Sequence, residues 1–299
     1  MARYTGPIID PHIHLYRYHP ERYPWLGGPG LQALQRDWSA ADYRGAIGAL
    51  PITAAVVIEA VATNPVAEVA AIVAAAGDSA VLGQAIIAHA ALDAPDLADR
   101  LDQLAAAGPV VGIRDIVSHH PNRPSVARAP DLMDRPGFLN GLSTLAARDW
   151  LFELMVLPHQ LAQAAALLVR APAHLRVVVN HAGSPEARDA YGFAQWRAGM
   201  AALAQLPNVY VKLSALHCLE PRFGLPDWTV DDLNAVVHPL LQAFGVDRCA
   251  FASDWPVHDR TVPLMGAFGD YLALTDGLSS AEQHALFFGT AAGLYSLER

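Results

Sequence analysis

The chain has 299 residues, 53% of them hydrophobic, and a formal charge of −9. That supplies ample core material, and an acidic chain without a basic stripe excludes nucleic acid as a partner. No apolar stretch is long enough for a membrane helix, no signal peptide opens the chain, and Cys218 and Cys249 form no C-x-x-C pair, so the expectation is a cytoplasmic protein without disulfides or a membrane partner.

In chain order, apolar runs predict strands over Ile8–Leu15, Ala54–Val61, Val81–Ala88, Val110–Val117, Trp150–Val156, Leu175–Asn180, Val209–Ser214 and Cys249–Ser253. Each is rich in Val, Ile, Leu or Ala instead of strictly alternating, which marks strands covered on both faces. Helices are expected over Val66–Ala76, Asp96–Ala107, Leu139–Arg148, His159–Val169, Phe193–Leu206, Val230–Phe244 and Ala281–Phe288, several ending at glycine. Strands alternating with helices predict an α/β chain folded as a (β/α)8 barrel, a fold of about 250 residues. The surplus falls in two segments, 16–42 after strand one and 119–136 after strand four, read as loops at the catalytic mouth. One domain, 1–299, is expected. The runner-up, a doubly wound open sheet, lacks a Gly-rich phosphate loop after strand one.

In such a barrel, residues at the C-terminal strand ends converge on one mouth. Strand one ends in Asp10-Pro11-His12-Ile13-His14, whose two histidines share a face by strand alternation. Two imidazoles on one face can bind a metal or grip an anion. Strand two ends near Glu59, and strand four carries Arg114 and Asp115 with His119 and His120 beyond. Glu153 lies on strand five and Asn180-His181-Ala182-Gly183 ends strand six. Lys212 and Ser214 lie on strand seven before His217, and Ser253-Asp254-Trp255-Pro256 ends strand eight. Polar groups at the ends of apolar strands are costly in a core but natural at a solvated mouth. Asp254, set beside strand one by barrel closure, is suited to take a proton from water; the bland alternative is a helix cap. His181 is either a site imidazole or one satisfied by its loop. Arg114 either holds substrate oxygens or pairs internally with Glu59 or Glu153, since buried arginine needs a partner. Lys212 reads as one half of a structural salt bridge. His119, His120 and His217 are candidate substrate contacts, whereas His89, His159, His174, His238, His258 and His284 read as surface or capping residues.

Taken together, six segments resemble the amidohydrolase superfamily, in particular its amidohydrolase-2 branch of lactonases acting on pyrone dicarboxylates and sugar lactones. They are Ile9–His14 followed by Tyr23-Pro24-Trp25-Leu26; Val57-Ile58-Glu59-Ala60; Gly112-Ile113-Arg114; Asn180–Gly183; Pro207–Ser214; and Phe251–Val257. The resemblance implies a barrel with His12, His14, His181 and Asp254 as the active-site set. It also implies hydrolysis of a small-molecule lactone, with Asp254 as general base. Substrate contacts are then expected from Arg114, Glu59, His119, His120, His217 and Trp25. Strand five offers no histidine and strand four an arginine, so a binuclear metal centre is not expected. His12, His14, His181 and Asp254 suit one divalent metal, zinc by donor type; metal-free catalysis is the equal alternative. Two rival readings stand beside the lactonase: a metal-dependent non-oxidative decarboxylase of the same superfamily, and a non-catalytic ligand-binding barrel. Homo-oligomer formation, the choice between sugar and pyrone, and sugar stereochemistry stay open.

Overall fold

A computed structural model describes residues 4–77, 79, 81–122, 125–185, 190–218 and 229–297. Its eight strands are β1 (Ile8–Ile13), β2 (Ile52–Ile58), β3 (Ala85–His89), β4 (Val110–Arg114), β5 (Leu151–Leu154), β6 (Val177–Val179), β7 (Val209–Leu213) and β8 (Cys249–Phe251). Each pairs in parallel with the next. The ring closes just past β8, where Ile13 bridges Trp255, Asp254 N–H donates to His12 O (2.9 Å) and His14 N–H donates to Trp255 O (2.8 Å). The predicted barrel is therefore formed.

Alternation along the strands sorts the side chains. Phe152, Val177, Val179, Val211 and Phe251 pack outward with the helices, whereas Leu151, Val178, Tyr210 and Ala250 share an inner cluster. Two residues onward, the inward face carries Glu153, Asn180 and Lys212, and it leads on to Asp254. The lower end of the barrel is plugged by α10 (Thr290–Tyr295), whose Ala291, Ala292, Leu294 and Tyr295 join that cluster.

The remaining helices are α1 (Ala40–Ile47), α2 (Pro65–Ala76), α3 (Leu97–Ala107), α4 (Pro136–Ala147), α5 (Leu161–Leu168), α6 (Ala190–Ala204), α7 (Val230–Phe244), α8 (Leu264–Leu274) and α9 (Ser280–His284). Among the described residues no helix is long and apolar enough to cross a membrane.

Two of these, α1 and α8, were not expected. Alpha1 spans only eight residues, includes Gly45, and is held by a reciprocal Ser39/Asp42 cap. Alpha8 includes Gly266 and Gly269, which weaken the local helical signal. Both exist because the barrel offers them a wall: Tyr43 of α1 and Phe268 of α8 are buried in the outer core. Strand three begins at Ala85 instead of Val81, after a turn in which Gly83 takes a positive φ of 79°.

Candidate active site

His12 on β1, His14 just past it, His181 after β6 and Asp254 after β8 meet at one end of the barrel. The Asp254 Oδ1 oxygen lies 3.3 Å from Nε2 of both His12 and His14, and 4.0 Å from Nε2 of His181. The His12 ring centroid is 5.2 Å from that of His14 and 4.8 Å from that of His181. Asp254 and His181 sit at φ 66° and 51°, and Ala182 and Ala215 at 54°. Side chains rarely adopt this left-handed region, at a cost of about 1–3 kcal/mol each, and it concentrates at functional sites. Here it turns the chain sharply at the strand exits, so Asp254 and His181 face inward instead of continuing along the wall.

The four are buried, with Asp254 4% and His181 7% accessible. Burial resists ionisation of Asp254, but the His181 and His14 imidazoles beside it prevail and hold its carboxyl below the usual range. Burial pushes His181 down to about 4, and burial, with the Lys212 ammonium nearby, pushes His12 well below the usual imidazole range. The centre thus sets an ionised carboxylate beside buried imidazoles, which is a general base with polar neighbours.

The donor set also fits a metal. His14 Nδ1 donates to the Ile58 carbonyl (2.9 Å). Its Nε2 lies 3.3 Å from Asp254 Oδ1, within hydrogen-bond reach, so both ring nitrogens are held in place by fixed partners. His12 Nε2 is buried without a hydrogen-bond partner. Ligand atoms of His12, His181 and Asp254 all lie within 4.8 Å of one another, and nitrogen–carboxylate donors suit zinc.

Three buried pairings support the four residues. Asp10 accepts from Ser253 N (2.9 Å), Ser253 Oγ (2.6 Å) and Tyr43 OH (3.0 Å). Lys212 Nζ donates to Glu153 Oε1 (2.6 Å), which also accepts from Tyr295 OH (2.6 Å), while Asn180 Nδ2 donates to Glu153 Oε2. Arg114 donates through Nε to Glu59 Oε1 and through Nη2 to Glu59 O (2.7 Å). Of the two internal partners open for Arg114, Glu59 is the one it pairs with. Lys212 is the salt-bridge partner of Glu153, as expected.

The other candidates contact different neighbours. Trp25 Nε1 donates to Ala60 O (2.7 Å), docking the long first loop on the end of β2. His119 N–H donates to Gln160 Oε1, and the His120 ring stands edge-on to His159 at 5.9 Å. His217 is buried, with Nδ1 on His258 Nε2 (3.0 Å) and Nε2 on Asp270 Oδ2 (2.8 Å). Both of its ring nitrogens are engaged by protein partners. His258, read as a surface or capping residue, is instead fully buried. Its backbone N–H donates to Asp254 O (3.0 Å) and its ring Nδ1 to Val262 O (2.9 Å), tying down the loop that carries Asp254. Sequence reasoning assigned no role to Asp10. The signal was present: an acid inside an apolar strand needs buried donors.

A family model described as Amidohydrolase matches residues 9–297. L-fucono-1,5-lactonase of Burkholderia multivorans is 32% identical over 97% of this chain and 96% of its own length. The crystal structure of an amidohydrolase from Burkholderia multivorans with bound zinc superposes with a TM-score of 0.85 at 30% identity, covering 97% of this chain and 99% of that one. A Pseudomonas putida structure described as a candidate 2-pyrone-4,6-dicarboxylic acid hydrolase gives a TM-score of 0.74 at 22% identity, covering 98% of both chains, a likeness of fold.

Proposed function

The chain belongs to the amidohydrolase family, and from that premise we propose that it is a lactone hydrolase acting on a sugar lactone at the His12, His14, His181 and Asp254 centre. The observation that carries the reading is the buried Asp254 carboxylate, 3.3 Å from each of two imidazoles. It is held ionised where the strand ends open. The relative named for L-fucono-1,5-lactonase, alike over nearly the full length of both chains, supports an aldonolactone over a pyrone.

Asp254 takes a proton from water as that water adds to the lactone carbonyl carbon. Collapse of the tetrahedral species breaks the bond to the ring oxygen, and Asp254 returns the proton to that oxygen, leaving a hydroxy acid. His14 and His181 orient the water and carbonyl, and burial excludes competing solvent. When bound by His12, His14, His181 and Asp254, a divalent cation supplies Lewis acidity to the carbonyl. The half-buried Trp25 stands on the first loop and offers an apolar face of the kind a sugar ring stacks on.

A pH-indicator assay against aldonolactones and pyrone carboxylates tests this. Acid release is expected on one stereochemical series of sugar lactones. Silence across the panel from folded protein, with and without zinc, would overturn the reading.

A further inference from the structure

His89, read from the sequence as a surface or capping residue, ends β3 on the inside of the barrel. It pairs in register with Arg114, which pairs in turn with Glu153. Ala85 and Ile87 of the same strand belong to the inner cluster, and Ile86 and Ala88 to the outer core. By alternation His89 therefore faces inward, at the end of the barrel where the strands open. The residue is half-buried. Its Nδ1 lies 3.0 Å from Arg114 O; a carbonyl only accepts, so Nδ1 carries a proton and donates it. Across the ring, Nε2 has no hydrogen-bond partner among the described residues and is not sealed from solvent. Beside it, the Arg114 guanidinium and the Glu59 carboxylate are engaged with each other.

We infer that His89 Nε2 binds a hydroxyl of the substrate, an inference that deepens the lactone reading and rests on it. Strand β3 stands two strands round the ring from β1 and three from β8, so His89 belongs to the wall across the mouth from Asp254. With the reacting carbonyl at Asp254, the rest of a lactone ring extends toward that wall. A hydroxyl both gives and takes hydrogen bonds, so it suits Nε2 with or without a proton there, whereas a carboxylate only accepts and needs the proton. This wall therefore favours a polyhydroxylated ring over one bearing carboxylates. The Arg114 carbonyl holds the imidazole in place, so the hydroxyl meets a fixed partner, and a fixed polar partner discriminates against analogues that lack the hydroxyl.

Binding is read instead of turnover, so the two readings can fail separately. The aldonates made by alkaline opening of each aldonolactone in the panel are titrated into wild type by calorimetry, and the tightest is then titrated into two variants. In His89→Asn the side-chain amide takes the place of Nδ1 and can still donate to Arg114 O, but nothing stands at Nε2. In His89→Gln the longer amide reaches the Nε2 position. His89→Asn should bind at least about tenfold more weakly than wild type, and His89→Gln should recover part of that loss. Recovery by His89→Asn but not by His89→Gln would show that His89 only props the Arg114 carbonyl. Wild-type affinity in both variants, or no aldonate bound by wild type, would equally overturn the inference. His89→Phe, which keeps a ring and loses both nitrogens, replaces a variant that does not fold and should show the same loss as His89→Asn. If wild type binds an aldonate through His89 yet hydrolyses no lactone in the panel, the lactone reading alone fails.

Discussion

Asp10 on β1 clasps Ser253 at the end of β8 by both its backbone N–H and its hydroxyl, across the one seam the strand pairing leaves to be closed by other means. The residue after Ser253 is Asp254, and Asp10 also stands two positions before His12. One buried carboxylate thus ties both halves of the active centre to the closure of the barrel. Replacing it by alanine strands the Ser253 donors and the Tyr43 hydroxyl without an acceptor, at roughly 1–3 kcal/mol each. Asp10→Ala should lose several kcal/mol in denaturant unfolding and lower turnover as well. Wild-type stability in that variant would show the seam is held elsewhere.

Asp254→Asn keeps the shape of the side chain and removes the base. Turnover should fall by about 10²–10⁴-fold, while the thermal midpoint stays close to that of the parent. Near-normal turnover would assign the water activation to another group.

Glu59→Gln leaves the Arg114 guanidinium buried without its carboxylate, a loss of about 3–5 kcal/mol. The double change Glu59→Gln/Arg114→Met removes both charges and should recover most of that stability. If the pair is structural, kcat/KM in the double variant stays within about tenfold of wild type; a loss of about a hundredfold or more would place Arg114 on the substrate.

Glu68 of α2 is buried and accepts from Ala60 N (2.9 Å). Burial, with the Glu59 charge nearby, pushes its carboxyl up to about 8 from 4.5. Between those values the folded chain keeps a proton that the unfolded chain releases, so stability falls as pH rises through the window, and the loss is complete above about 8. Glu68→Gln retains an acceptor for Ala60 and removes the ionisation. Thermal melts across this range should therefore show a shallower decline in the variant. Identical slopes would trace the decline to other groups.

The sequence by itself determined the barrel and the four residues at its mouth. Runs such as Val177-Val178-Val179 are apolar on both faces because both faces are covered, and that demand is written locally in each strand. His12, His14, His181 and Asp254 were legible because each sits where an apolar run stops, and a barrel sends all such positions to one rim. Helices α1 and α8 were not legible, since their formation depends on a wall to pack against more than on their own residues. The pairings were decided only in three dimensions. Glu59 and Glu153 were equal candidates for Arg114 until the fold gave one to Arg114 and the other to Lys212. The His217–His258 pair and the Asp10–Ser253 clasp join residues far apart in the chain. Local pattern specifies which elements form and which side of them is covered, but the partner of a buried charge is set by the curvature and register that bring distant strands together, and no single segment carries that information.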